Sequence, residues 1–392
     1  MLMQWLRLSA MGLASLPQRL GASSVIIIGI ACVVAVFVSV LAMSSGFKHT
    51  LADSSRADRV IVLRGGSDAE LNSNLTREDI NTIADAPGIA VGSAGQPLFS
   101  KEIVTVVNLP KIDTGTSSNI TLRGVGLELA GVRPELSIIE GRMFRPAVRE
   151  LIAGVGASKQ FSGLVLGSVL RFRNADWTVT GIFSSRGDIH ESELSADVDT
   201  VGSSIERNGY SSAVAILKSP EAFQAFKDAL TSNPQLTVEV QRESEYYAAQ
   251  SKAITGIIDV IGTLVAVIMA VGATFGALNS MYSAVAVRGR ELATLRAMGF
   301  SAVPLMLSVM TEALLLSLCG ALIGAALAWL VFNGHTVSTL GGAFAQVVFK
   351  LTVTPRLISE GVIWACVIGL LGGLFPALRM VRVSVTDALR SA

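Results

Sequence analysis

Charge is scarce in this chain of 392 residues: 16% are Asp, Glu, Lys or Arg, against roughly 25% in an ordinary soluble domain. The deficit is uneven, because the N-terminus and the last third hold long uncharged runs while the middle reads as soluble protein. A net charge of +1 provides no field that would draw nucleic acid. Cysteine is nearly missing. Cys32, Cys319 and Cys366 all lie in apolar runs, so the soluble stretch must fold without a disulfide framework. The three histidines, His49, His190 and His335, stand far apart. No Gly-Lys dipeptide occurs, which excludes the phosphate-binding P-loop, and neither H-E-x-x-H nor G-x-S-x-G is found. The chain is therefore expected to bind no cofactor of its own and to catalyse nothing.

What the chain has instead is length of apolar run. Residues 20–47, 260–287, 313–334 and 361–378 contain no charge, and about 20 apolar residues suffice to cross a bilayer. The first run exceeds the 7–15 residues of a secretory signal core, which argues for a retained anchor. Arginine then sets the direction. Arg7 and Arg19, the loop with Arg288, Arg290 and Arg296, and the tail with Arg379, Arg382 and Arg390 face only two acids, Glu291 and Asp387. These flanks share one side, so both termini are expected in the cytoplasm. The chain divides into a cytoplasmic segment 1–19, a first span 20–47, an extracytoplasmic domain 48–252 and a second span 253–283. A cytoplasmic loop 284–302, a third span 303–333, a short outer loop 334–356, a fourth span 357–378 and a tail 379–392 follow. Glycines four apart, Gly272 and Gly276, Gly320 and Gly324, Gly369 and Gly373, predict faces on which helices pack closely.

The outer segment predicts an α+β fold. The run RVIVL from Arg59, a capped helix from Thr76 and the strand IVTVVNL to Leu109 form one β-α-β unit. The strand from Ser212, a helix opened by Ser219-Pro220 and a strand to Val240 form a second. Between them, about 113–208 reads as an inserted, mostly β subdomain. From Glu243 no breaker intervenes before Gly256, which predicts one helix running from this domain into the second span. Asp188, His190, Glu191 and Glu193 have metal-like composition, but spacing alone favours a solvated acidic loop. Glu312 is an intramembrane acid. Its place two turns beyond Pro304 favours a structural pairing with a cytoplasmic arginine over the functional role such acids usually carry.

The most informative segment is the cytoplasmic loop. Leu292, Leu295 and Met298 follow a helical stripe flanked by Arg290 and Arg296, and Gly299 is placed as a C-terminal cap. A short basic amphipathic helix suits either the lipid surface or a groove on a partner. Residues 288–301, RGRELATLRAMGFS, resemble the coupling helix of the MacB/FtsX-type ABC transporter permeases. The stretch GLLGGLFPALR from Gly369 and VTDALR from Val385 resemble that family's last span and tail, with Val385 where proline is common. EGRMF from Glu140 and WTVTGIF from Trp177 resemble pieces of its periplasmic domain.

The resemblance implies an α-helical membrane protein with four transmembrane helices and an α+β extracytoplasmic domain, in a bacterial inner membrane. It implies two permease copies, a homodimer, working with two copies of a separate ATPase that binds the ATP and Mg. It also implies a periplasmic adaptor, an outer-membrane channel and efflux of an amphipathic substrate. Arg288, Arg290, Glu291, Leu292, Leu295, Arg296 and Gly299 would engage the ATPase. Two further readings are lipoprotein extraction of the LolC/LolE kind and FtsX-like regulation of a cell-wall hydrolase.

Overall fold

The computed structural model describes residues 5, 8–11, 20–53, 56–93, 95–172, 174–287, 294–340 and 346–382. The chain runs through α1 (Leu20–Asp53), β1 (Arg59–Arg64), α2 (Arg77–Ala84), β2 (Phe99–Pro110), β3 (Ser117–Val125), β4 (Ser137–Gly141) and β5 (Glu150–Gly154). Then follow β6 (Val169–Phe172), β7 (Ala175–Ser184), β8 (Leu194–Asp197), α3 (Val198–Ser204), β9 (Ser212–Ile216), α4 (Ala222–Thr231) and β10 (Val238–Arg242). Last come α5 (Glu243–Val287), α6 (Ala302–Phe332), β11 (Thr336–Leu340), β12 (Gln346–Lys350) and α7 (Pro355–Arg382). Two compact units result. A helical unit takes Met1–Ser45, Ile257–His335 and Leu351–Ala392, and a sheet unit takes Gly46–Gly256 and Thr336–Lys350.

In the sheet unit, β-branched runs such as RVIVL bury nearly every side chain, as a central strand requires. Ten strands form one sheet in the order β10-β1-β9-β2-β3-β8-β5-β7-β4, with β6 on β7. The two β-α-β units, β1-α2-β2 and β9-α4-β10, interleave: β9 lies between β1 and β2, and β1 lies between β9 and β10. The strands of the 113–208 segment, β3 to β8, pair with one another and with the latter part of β2, which joins them to the strands of the two β-α-β units. β2 is 12 residues long. Its first residues pair with β9 and the rest pair with β3, so this one strand carries two successive ladders. The core holds Trp177, fully buried and stacked on Phe172 at 5.4 Å.

Local signals act where expected at α2. Thr76 Oγ1 accepts from the Asp79 amide at 3.1 Å, and the Asp79 carboxylate accepts from the Thr76 amide at 2.8 Å, a reciprocal cap. At α4 the helix starts later than the Ser219-Pro220 pair predicts. Ser219 and Pro220 carbonyls take the amides of Ala222 and Phe223 in a turn, and Glu221 becomes the residue before the first helical one. The 334–356 segment is also more than a loop. Its β11–β12 hairpin belongs to the sheet unit, where the Val348 amide donates to Ser192 Oγ at 2.8 Å and Phe349 meets the edge of Phe47 at 5.4 Å.

Among the described residues, four helices are long and apolar enough to cross a membrane. In the helical unit a Cβ added at Gly320 would lie 2.8 Å from the Ile27 carbonyl oxygen, and one at Gly324 would collide with that of Ala31. These glycines let α6 sit against the backbone of α1. Gly369 faces Ser317 and Gly373 faces Ala313, so α7 packs on the opposite stretch of α6. Gly272 and Gly276 do not pack in this way. A Cβ at either meets no atom within 4 Å, because this length of α5 lies largely exposed within the chain.

Candidate functional site

Burying a charge costs several kcal/mol unless opposite charges and hydrogen bonds compensate. Among the described residues, the sheet unit nevertheless brings together three arginines and four glutamates that are almost completely buried: Arg59, Arg123 and Arg133 with Glu70, Glu102, Glu193 and Glu243. Arg59 is the first residue of β1 and Glu243 the first residue of α5. Arg59 Nε donates to one Glu243 carboxylate oxygen, and Arg133 Nη1 donates to the other at 2.9 Å. Arg59 Nη1 also donates to Glu135 at 2.6 Å and to the Val132 carbonyl at 2.9 Å. Arg133 reaches Glu102 at 3.6 Å, and Glu102 accepts from Arg123 at 2.6 Å. Arg123 forks onto Glu193 at 2.7 and 3.1 Å and onto Glu70 at 2.8 and 3.0 Å. Ser212 Oγ adds a bond to Glu70 at 2.7 Å. Charge-assisted bonds thus tie α5's first residue to β1 through Arg59, and β2 to β3 through Arg123, with the 3.6 Å ion pair of Arg133 and Glu102 between the two clusters.

Three guanidiniums face four buried carboxylates, five with Glu135, so every arginine of the network is paired. Burial alone would raise the Glu70 and Glu193 carboxyls, but the Arg123 guanidinium outweighs it and holds both below the ordinary carboxylate range. Burial pushes the Tyr246 and Tyr247 hydroxyls up. A carboxyl depressed in the folded state adds stability above its unfolded pKa, about 4.3 for Glu. That stability is lost as pH falls through the lower folded value. Asp188, pushed up by burial, works in the opposite direction, one group against several lowered carboxyls that include Glu135 and Glu150. The near-ultraviolet circular dichroism of the purified chain, to which Trp177 contributes, is expected to persist to below about pH 4. Its loss at about pH 5 would contradict the assignment.

The acidic loop is not solvated. Asp188, His190 and Glu193 are buried. Asp188 accepts from the His190 amide at 2.9 Å and from Ser185 Oγ at 2.6 Å. Glu191 accepts from Ser184 Oγ and from the amides of Ser185 and Gly187. His190 Nδ1 lies 3.1 Å from Glu193. The loop shapes itself and extends the charge network.

Of the loop residues in the helical unit, Arg288, Arg290, Glu291 and Leu292 lie outside the described residues. Leu295 is half-buried against the helical unit's own apolar cluster. It is therefore only partly available to a partner, whereas Met298 is 64% exposed. Gly299 adopts φ +93°. The Phe300 amide bonds the Leu295 carbonyl and the Gly299 amide bonds that of Arg296, each at 3.1 Å, so the helix ends in a paired left-handed cap. Arg296 lies on that last turn, half-buried. Glu312 is buried within α6.

Sequence reasoning missed the buried network. The available signal was charge inside otherwise apolar strands, as in SKEIVTV and ITLRGV.

Comparison with known proteins accords with this architecture. The model of the MacB-like periplasmic core domain matches residues 21–233, and that of the FtsX-like permease C-terminal domain matches 263–385. The macrolide export ATP-binding/permease protein MacB of a Shewanella species is 23% identical over 368 residues, 84% of this chain and 55% of that protein. The protein of the same name from Chlorobium luteolum is 23% identical over 395 residues, 93% of this chain and 57% of that protein. The chain spans about half the length of the curated relatives it matches. The crystal structure of the extracellular domain of the noncanonic ABC-type transporter YknZ from Gram-positive bacteria is similar over 47% of this chain and 99% of that one. The identity is 19% and the TM-score 0.37.

Proposed function

The chain belongs to the MacB/FtsX-type ABC transporter permeases, and from that premise we propose that it transmits ATP-driven motion across the membrane to its periplasmic domain. The observation that carries this reading is α5, one helix of 45 residues. Its first residue is held by Arg59 and Arg133, and its last adjoins the arginine-bearing loop. A helix of that length extends roughly 68 Å at 1.5 Å per residue. It moves as a rod, whereas a loop at the same place would absorb displacement.

In this proposal the loop of Arg288, Arg290, Glu291 and Leu292 docks on a separate ATPase subunit that binds ATP and Mg. Exposed Met298 adds apolar contact, and Leu295 braces the loop against the helical unit. Two copies of each subunit assemble. A periplasmic adaptor and an outer-membrane channel complete a path for an amphipathic substrate. Copurification of the chain from its native membrane tests the partners. An ATPase and an adaptor are expected, and recovery of neither would overturn this assembly.

Orientation has its own test. In a cysteine-free background, Thr114→Cys is expected to react with a membrane-impermeant maleimide from the periplasmic side, and Ser301→Cys only after the membrane is opened. Both positions are exposed within the chain. Equal reaction from one side would contradict the topology.

A further inference from the structure

The sheet unit holds an open polar cavity of 840 Å³ between α2, the start of β2 and α3. That volume falls within the range of small-ligand sites. No residue of the charge network lines it. Its floor is apolar, made by buried Ile80, Ile103 and Val198. Three cations line it: Arg77, Lys101 and Arg207. Lys101 is already engaged, with Asp199 at 3.2 Å and the Tyr210 hydroxyl at 3.3 Å.

Arg207 is in a different position. Its half-buried guanidinium donates to the Ser73 carbonyl oxygen, and among the described residues no carboxylate lies within ion-pair distance of it. Burial lowers its basicity with nothing to offset it. Arg77 is exposed and likewise has no ion-pair partner among the described residues. Arg207 follows the left-handed cap of α3. The Arg207 amide returns to the Gly202 carbonyl at 2.9 Å, with Glu206 at φ +53°. This cap sets Glu206 and Arg207 together on the cavity wall.

We propose that this cavity binds a short peptide through one carboxylate, which Arg77 and Arg207 receive. Asn81 and Asn208 on the same wall offer donors and acceptors to the peptide's amides. Glu206 and Asp199 oppose a second negative charge, so a single carboxylate fits better than phosphate.

The test is calorimetry on the full chain in detergent. The probes are acetyl-Leu-Leu-Glu-amide, its Gln counterpart and inorganic phosphate. The Glu peptide is expected to bind about tenfold more tightly than the Gln peptide, as a charge-assisted pair provides. Arg207→Gln and Arg77→Gln are each expected to remove that difference and leave the Gln peptide unchanged. Arg77 is exposed, so its variant preserves the test if Arg207→Gln loosens the fold. Glu206→Gln is expected to tighten the Glu peptide and admit phosphate. The proposal is overturned if the Glu peptide shows no saturable binding up to millimolar concentration, if both peptides bind alike, or if Arg77→Gln changes nothing.

Discussion

Glu243→Ala is expected to cost about 3–5 kcal/mol of stability. The carboxylate is shared by Arg59 and Arg133. Removing it leaves two guanidiniums buried at 0% and 2% exposure with no water to turn to. A domain of this size has about 5–15 kcal/mol in total, so such a loss is a large part of the whole. Glu243→Gln, which keeps an acceptor but not the charge, should fall between wild type and Ala. Thermal unfolding of the purified chain measures both. A Glu243→Ala midpoint equal to wild type would show that α5 is not anchored through this network.

Gly256→Pro is expected to separate ATP hydrolysis from movement of the periplasmic domain. Gly256 lies inside α5, and an added side chain there meets no atom within 4 Å. The substitution therefore acts on the helix alone. A proline removes one backbone hydrogen bond and clashes with the preceding turn, at about 3 kcal/mol or more, and kinks the rod. Gly256→Ala is the control, since alanine improves the helix by about 1 kcal/mol and fills empty space. In the assembled complex, Pro is expected to retain ATPase activity within about twofold while abolishing the domain's response to ATP, and Ala to retain both. A Pro variant with an intact response would mean that motion travels by another route.

Much of this architecture is legible from local chemistry. Uncharged runs give four membrane helices, because the bilayer demands length and apolarity and little else. Thr76 and Asp79 define their helix start within four residues. The absence of a breaker after Glu243 gives the long helix. The charge network lies beyond such reading. Arg59 and Glu243 are 184 residues apart, and Arg133 and Glu243 are 110 apart. Nothing in either neighbourhood says that a charge will find a partner across the sheet. The interleaving of β9 between β1 and β2 is hidden for the same reason, since two β-α-β units have the same local pattern whether they stand apart or interlock. Gly272 and Gly276 show the converse. Their spacing is the same as that of Gly320 and Gly324, yet only the latter pair meets another helix of this chain. Spacing provides a smooth face, and the fold decides what it meets.

In the proposed mechanism, nucleotide chemistry on one side of the membrane moves the folded domain on the other. A fluorophore on Thr114→Cys, in the chain reconstituted with its ATPase in sealed vesicles, reads that directly when ATP is supplied to the cytoplasmic face. An ATP-dependent change in emission is expected, absent with the ATPase omitted and absent in Gly256→Pro. Steady emission while ATP is being hydrolysed by the intact complex would contradict it.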